Sequence, residues 1–333
     1  RRLPAKASIF GPAMELPPAR EPYPETGPFD TAMLAVGDGH TLYVEQVGNP
    51  TGMPVIFLHG GPGSGCQPAH RQLFDPRRFR AILFDQRGAG RSTPRTGREH
   101  NTTQHLIADI ERIRALFGIQ RWLVVGGSWG ATLAVAYAEA HPERTLGVAL
   151  RGVFLGTRAE WTWAFVDAPR IFRPDLYLSL LSLLPAEERG DLLAALGRRL
   201  RDPEPAVHVP AAWAWSDYER VLSEIRPDVP VPFPATLAEA GRGRATVPST
   251  PYIESHYYEN DCFLRDGQLL AEAGRLTGIP GIAVQGRYDL LCPPSIADAL
   301  VRAWPGAELR IVETAGHALT EPGVRPEIGR AHV

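Results

Sequence analysis

The stretch Trp122-Leu123-Val124-Val125-Gly126-Gly127-Ser128-Trp129-Gly130-Ala131 decides how this chain is read. Residues 122–125 form a short apolar run of the kind buried on both faces of a parallel sheet, and residues 131–140 read as a helix. Between them stands G-x-S-x-G, with Ser128 at its centre. A strand that turns abruptly into a helix across such a sequence projects the serine hydroxyl from the end of the sheet, and glycines on either side let the backbone turn sharply. The five-residue pattern alone is weak, and the strand before it and helix after it give it its weight.

Outward from this turn, residues 31–36 and 41–47 alternate in polarity around Gly37-Asp38-Gly39-His40, the signature of a β-hairpin. Residues 54–58, 80–84, 146–150, 279–284 and 308–312 are further short apolar runs, expected as buried parallel strands. Helical spacing appears over 103–117, where Leu106, Ile110 and Ile113 recur and Asn101 or Thr102 can cap the start, and over 295–304. Strand and helix in alternation behind a leading hairpin indicate a doubly wound α/β sheet. The rhythm breaks over 154–276, which is rich in tryptophan and proline, with helical segments around 176–184 and 187–200. We expect an inserted helical cap there, with 241–244 as the most mobile loop, and 25–153 and 277–333 forming the catalytic domain.

Composition narrows the function classes. The 35 Lys and Arg against 37 Asp and Glu leave a net charge of −2, so neither nucleic acid nor an anionic membrane is an expected partner. No apolar run approaches the roughly 20 residues that span a bilayer. Cys66, Cys262 and Cys292 are odd in number and far apart, with no CxxC pair, which suits a reducing, cytoplasmic setting rather than a disulfide or metal framework. Residues 1–24 are rich in Pro and Ala and lack the continuous apolar core of a secretory leader, so they are expected as a loosely ordered extension, with Met14 inside it.

A serine hydroxyl near neutral pH needs a base within hydrogen-bonding reach and a carboxylate to orient that base. In α/β enzymes with this serine turn, the acid and then the histidine follow at the ends of later strands. Asp289 follows the run 279–284, and His317 follows 308–312; the rival Asp298 falls inside a predicted helix. His40, His70, His100, His105, His141, His208, His256 and His332 lack such placement. His59-Gly60-Gly61-Pro62-Gly63 follows an earlier strand, where half of an oxyanion hole is expected. The N–H groups of Gly61 and Trp129 are its candidate donors, since Pro62 has no N–H. The run from Asp85 to Ser92 reads as scaffold, its glycines making turns and its charges holding loops.

At this point the chain resembles the proline iminopeptidases, or prolyl aminopeptidases, of the α/β-hydrolase superfamily. The resemblance spans residues 22–323 and rests on His59–Gly63, Asp85–Ser92, Gly126–Gly130, Arg151-Gly152-Val153-Phe154 and Gly286-Arg287-Tyr288-Asp289. It implies an α/β-hydrolase fold with a helical cap, and release of N-terminal proline from small peptides by Ser128, His317 and Asp289, without metal or organic cofactor. Within the cap, Trp213-Ala214-Trp215-Ser216-Asp217-Tyr218-Glu219 and Glu254-Ser255-His256-Tyr257-Tyr258 resemble the segments that recognise the substrate amine, which points to Glu219 and Glu254. An N-terminal proline is a secondary ammonium with two N–H donors, and two carboxylates in a partly desolvated pocket suit it. Its apolar ring calls for aromatic walls, for which Phe154, Tyr258 and either Phe165 or Trp163 are candidates. The chain departs from the family pattern at Tyr218, Tyr258 and Ala318, and residues 325–333 lack the terminal helix pattern. Alternatives are an esterase or broader aminopeptidase on the same fold, and a non-catalytic binding module. Epoxide hydrolases and dehalogenases on this scaffold carry aspartate at the position of Ser128.

Overall fold

The computed structural model describes residues 22–330. Eight strands form one sheet in the order β1-β2-β4-β3-β5-β6-β7-β8: β1 (Asp30–Gly37), β2 (His40–Gly48), β3 (Met53–Leu58), β4 (Phe79–Phe84), β5 (Trp122–Ser128), β6 (Thr145–Val153), β7 (Gly281–Gly286) and β8 (Ala307–Val312). The first two strands pair antiparallel, as do β2 and β4, and every later pair is parallel. The hairpin closes across Asp38 and Gly39, both with positive φ (53° and 77°), the turn whose twist matches that of its strands.

Both faces of the sheet are covered. Leu42, Val44, Ile56, Ile82, Val124 and Val148 pack against helices Thr103–Leu116, Trp129–Ala140 and Pro294–Ala303, while Val55, Phe57, Leu83, Val125 and Val284 face Leu73, Phe74, Val324 and Ile328. Thr102, rather than Asn101, caps the first of these helices, its hydroxyl accepting from the His105 N–H.

Three expectations are corrected. Strands β5 and β6 run farther than their apolar residues, because Gly126 and Gly127 pair in register with Leu150 and Arg151 and carry the ladder to the serine. The helix expected over 187–200 begins only at Leu192, after a short turn at Ala186–Glu188, because the Asp191 carboxylate caps it by accepting the Ala194 N–H. The chain end does form a helix, Val324–Arg330, whose Val324 and Ile328, four residues apart, are buried against the sheet.

Between Val153 and Gly281 the described chain is helical or irregular throughout, and its last turns, Gln268–Glu272 and Ala273–Leu276, return to pack on helix Trp129–Ala140. The segment 241–244 is held: Gly241 lies against the Trp213 ring, and Arg244 stacks over that ring and bonds Asp217 at 3.0 Å. Residues 1–21, His332 and the end of the chain lie outside the described residues, so the expectation for the extension meets structure only at 22–24, where the Tyr23 N–H bonds the Gln72 carbonyl. Among the described residues, no helix is long and apolar enough to cross a membrane.

Candidate active site

Ser128 ends β5 and adopts φ 58°, ψ −125°, a left-handed conformation that L-residues avoid because Cβ crowds the backbone. Neither Gly126, Gly127 nor Gly130 has positive φ, so these glycines serve the turn through space rather than dihedral freedom. A Cβ on Gly126 would stand 2.0 Å from the Gly130 carbonyl oxygen, and one on Gly130 would stand 2.0 Å from that of Leu58. The helix therefore starts directly on the end of β3, and the strain sits on the serine.

Asp289 and His317 come together across the loops that follow β7 and β8. His317 Nδ1 lies 2.8 Å from Asp289 Oδ2. The carboxylate is fixed from three more directions: Oδ1 accepts the N–H groups of Leu291 (3.0 Å) and Cys292 (2.8 Å), and Oδ2 accepts from the Gln285 amide (3.0 Å). Asp298, by contrast, sits on the helix after β7 and pairs with Arg302 at the surface. The His317 loop is gripped by the cap: the N–H groups of His317 and Ala318 both donate to the carbonyl of Ser223, at 2.9 and 2.8 Å. The half-buried Arg151 guanidinium donates to the His317 carbonyl. Gly152, with φ 52°, passes so close that a Cβ there would lie 2.9 Å from His317 Cε1 and 3.3 Å from Asp289 Oδ2.

The candidate oxyanion loop is built on a buried histidine. His59 Nε2 accepts the Gln86 N–H at 2.9 Å, which leaves the ring proton on Nδ1 to bond the Gly60 carbonyl, also at 2.9 Å. Burial lowers the His59 pKa, so the ring stays neutral in this structural role. Gly60 abuts the nucleophile turn, its missing Cβ site lying 3.4 Å from Ser128 Cβ. Trp129 opens its helix, where the first N–H groups have no intrahelical acceptor. Its indole bonds the Gln86 amide oxygen at 2.9 Å, and the Gln86 amide nitrogen in turn holds the His59 carbonyl. The run from Asp85 to Ser92 is a scaffold in the structure: Asp85 accepts the Cys66 and Arg91 N–H groups, and Arg87 pairs with Asp109 at 2.7 Å, both side chains fully buried.

The cap helices Pro205–Ser223 and Thr250–Glu259 bring Glu219 and Glu254 within hydrogen-bonding reach of one another. Burial pushes the Glu219 carboxyl up to about 7, and burial followed by the neighbouring Glu219 raises Glu254 well above the ordinary carboxylate range. The pair therefore shares a proton near neutrality. Glu254 is fully buried, and accepts the Trp215 indole N–H at 2.6 Å and the Tyr258 hydroxyl at 3.3 Å. Around it stands an aromatic group: Trp161 stacks on Tyr258 (centroids 5.0 Å apart, planes 12° apart), while Phe154, Phe165 and Trp215 lie within 6.4 Å of the same ring. The two hydroxyls that depart from the family pattern are both used, since Tyr218 donates to the Phe165 carbonyl at 2.9 Å. Trp161, and not Trp163, is the stacking partner; the Trp163 indole nitrogen is buried without a bond. Trp161, Trp215, Arg151 and Gly152 went unassigned in the sequence because their roles depend on contacts between segments distant in the chain, although Trp215 lies inside the quoted cap motif.

This cap site is joined to the sheet end. Ile253, beside Glu254, lies against Gly63 of the oxyanion loop, and Ser249 bonds the Gly63 carbonyl at 2.8 Å. Ser128 pairs in register with Val153, the neighbour of Phe154.

Residues 53–323 match the family model described as alpha/beta hydrolase fold. The chain is 46% identical over 302 residues to the proline iminopeptidase of Xylella fastidiosa strain Temecula1, covering 90% of this chain and 94% of that protein. It is 42% identical over 308 residues to the proline iminopeptidase of Arabidopsis thaliana, covering 92% and 80%. The chain belongs to the proline iminopeptidase family. Among solved structures, the proline iminopeptidase of Mycobacterium smegmatis superposes with a TM-score of 0.58 at 21% identity, covering 91% of this chain and 98% of that one, a likeness of fold. As a member of the family, the chain is a hydrolase of the aminopeptidase type.

Proposed function

We propose that this protein releases an N-terminal proline from small peptides by acyl transfer to Ser128. His317 takes the serine proton as Oγ attacks the prolyl carbonyl carbon, and Asp289 holds the imidazole and balances its charge. The N–H groups of Gly61 and Trp129 receive the oxyanion. His317 then protonates the departing amine, and water, activated by the same histidine, releases proline from the ester. Residues 154–276 act as the cap that recognises the substrate. Glu219 and Glu254 bind the two N–H donors of the prolyl ammonium, whose charge takes the place of their shared proton, while Phe154, Phe165 and Tyr258 enclose the ring.

The observation that carries this reading is the carboxyl pair of half-buried Glu219 and fully buried Glu254, the latter in an aromatic enclosure. Such a pair is costly to ionise unless a cation arrives, and an acylated or internal proline offers none. Peptides beginning with proline are therefore the substrates. The three unpaired, buried thiols are consistent with a cytoplasmic setting.

The test compares release of fluorophore from prolyl-, alanyl- and N-acetylprolyl-amidomethylcoumarin, with p-nitrophenyl acetate alongside. Strong preference for the unblocked prolyl compound supports the proposal. Hydrolysis of the acetate ester alone assigns the protein to the esterases.

A further inference from the structure

Far from the catalytic serine in sequence, three side chains converge that the proposed reaction does not use. Asp38 sits in the turn of the leading hairpin, and His100 and His105 flank the start of helix Thr103–Leu116. One ligand-capable atom from each lies within 4.8 Å of the other two. His105 Nε2 is 4.0 Å from Asp38 Oδ2, and the two imidazoles meet edge to face with centroids 5.9 Å apart. Asp38 and His100 are exposed and His105 is partly so, which leaves the group open to solvent.

The orientation of the rings suits a metal. His105 Nδ1 is engaged with the Thr102 hydroxyl at 2.8 Å. That contact orients the ring with Nε2 turned toward the Asp38 carboxylate. Arg87 lies 3.5 Å from Asp38; it also pairs bidentately with Asp109, which Arg112 shares at 2.8 Å, and its Nη1 donates to the His100 carbonyl at 2.6 Å. His100 is itself held at φ 49°, a strained conformation for a histidine, within the loop that presents it beside His105.

We propose that Asp38, His100 and His105 form a surface site for a borderline divalent metal ion, with zinc as its best occupant. Two imidazoles and one carboxylate are the donor set of a tetrahedral Zn²⁺ site whose fourth position is taken by water. Mg²⁺ and Ca²⁺, which require oxygen donors, are poor fits. The ion ties the hairpin turn to the segment that docks the cap. Asn101 accepts from Tyr257 through its side chain and from His256 through its carbonyl, both at 2.9 Å, and Thr103 and Gln104 donate to the carbonyls of Cys262 and Phe263. Occupancy thus stiffens the support of the helix that carries Glu254.

Among the described residues one other group has comparable donors, Asp289, Cys292 and His317, which is buried in the candidate active site. The experiment separates the two. Zinc chloride is titrated into the full chain by calorimetry, and unfolding is followed with and without the metal. The expected result is one Zn²⁺ per chain at the exposed group and a rise in Tm of about 2–4 °C, with no response to Mg²⁺. In His100→Asn, which keeps a residue that tolerates positive φ, and in His105→Gln, zinc affinity falls at least tenfold. Zinc binding that survives both substitutions unchanged overturns the proposal, as does binding abolished by Cys292→Ser with the His100 variant unaffected.

Discussion

Replacing Glu219 by glutamine should separate substrate recognition from stability, and should move the two in opposite directions. The Glu219 carboxyl titrates near 7 in the folded chain against 4.5 in a model peptide, mainly because burial penalises its charged form. Between those values the folded state holds a proton that the unfolded state has released. Stability contributed at this site therefore declines as pH rises from about 4.5 to about 7. At about 1.4 kcal/mol per pH unit the penalty reaches at most about 3 kcal/mol above pH 7, and Glu254, raised for the same reason, adds to it. Glutamine keeps the shape and loses the penalty. Glu219→Gln should thus be indistinguishable from the parent protein in urea unfolding near pH 4.5 and more stable by roughly 1–3 kcal/mol at pH 8. The same change removes a charge-assisted bond to the prolyl ammonium, so kcat/KM for an unblocked prolyl amide should fall about 10–100-fold, with p-nitrophenyl acetate hydrolysis changed little. A stability difference that does not grow between pH 5 and 8, or a prolyl kcat/KM within twofold of the parent, would refute the reasoning.

Other outcomes follow from the same geometry. Ser128→Ala should lower prolyl amide turnover by at least about 10³-fold, while relief of the positive φ strain is not expected, since alanine meets the same backbone crowding; calorimetry should show a Tm near that of the parent. In Gly152→Ala the new methyl would lie 2.9 Å from His317 Cε1, so the imidazole must retreat by about half an ångström; kcat should drop roughly 10–100-fold, and an unchanged kcat would show that the ring is less constrained than it looks. Glu139, buried in helix Trp129–Ala140 with one carboxyl oxygen unbonded, is pushed up to about 8 by burial and then by Glu272. Any difference in stability between Glu139→Gln and the parent should shift in favour of the variant as pH rises from 5 to 9, and a pH-independent difference in Tm would contradict that assignment.

The order of strands and helices, the G-x-S-x-G turn, and the placement of Asp289 and His317 after late strands were legible in the residues because they are local or follow chain order. Alternating polarity reports which faces are buried, and a strand that gives way to a helix across glycines leaves a mark within ten residues. Where a boundary depended on a partner strand, as for Gly126 and Gly127, or on a side-chain cap, as at Asp191, the local pattern misplaced it. The terminal helix was missed for a related reason: two apolar residues four apart, Val324 and Ile328, form a convincing face only once the sheet that covers them is known.

The sequence by itself determined the α/β architecture and the kind of residues available for chemistry. It could not determine that Ser128, rather than its glycines, bears the positive φ, or that Gly152 is glycine because the His317 ring and the Asp289 carboxylate occupy the space a methyl would need. Nor could it join the Ser223 carbonyl of one cap helix to the loop of His317, or set Glu219 beside Glu254 on the next. Those are contacts between segments separated by tens of residues. Their energies depend on burial and on the approach of charges in a low-dielectric interior, quantities that exist only once the chain has closed around them.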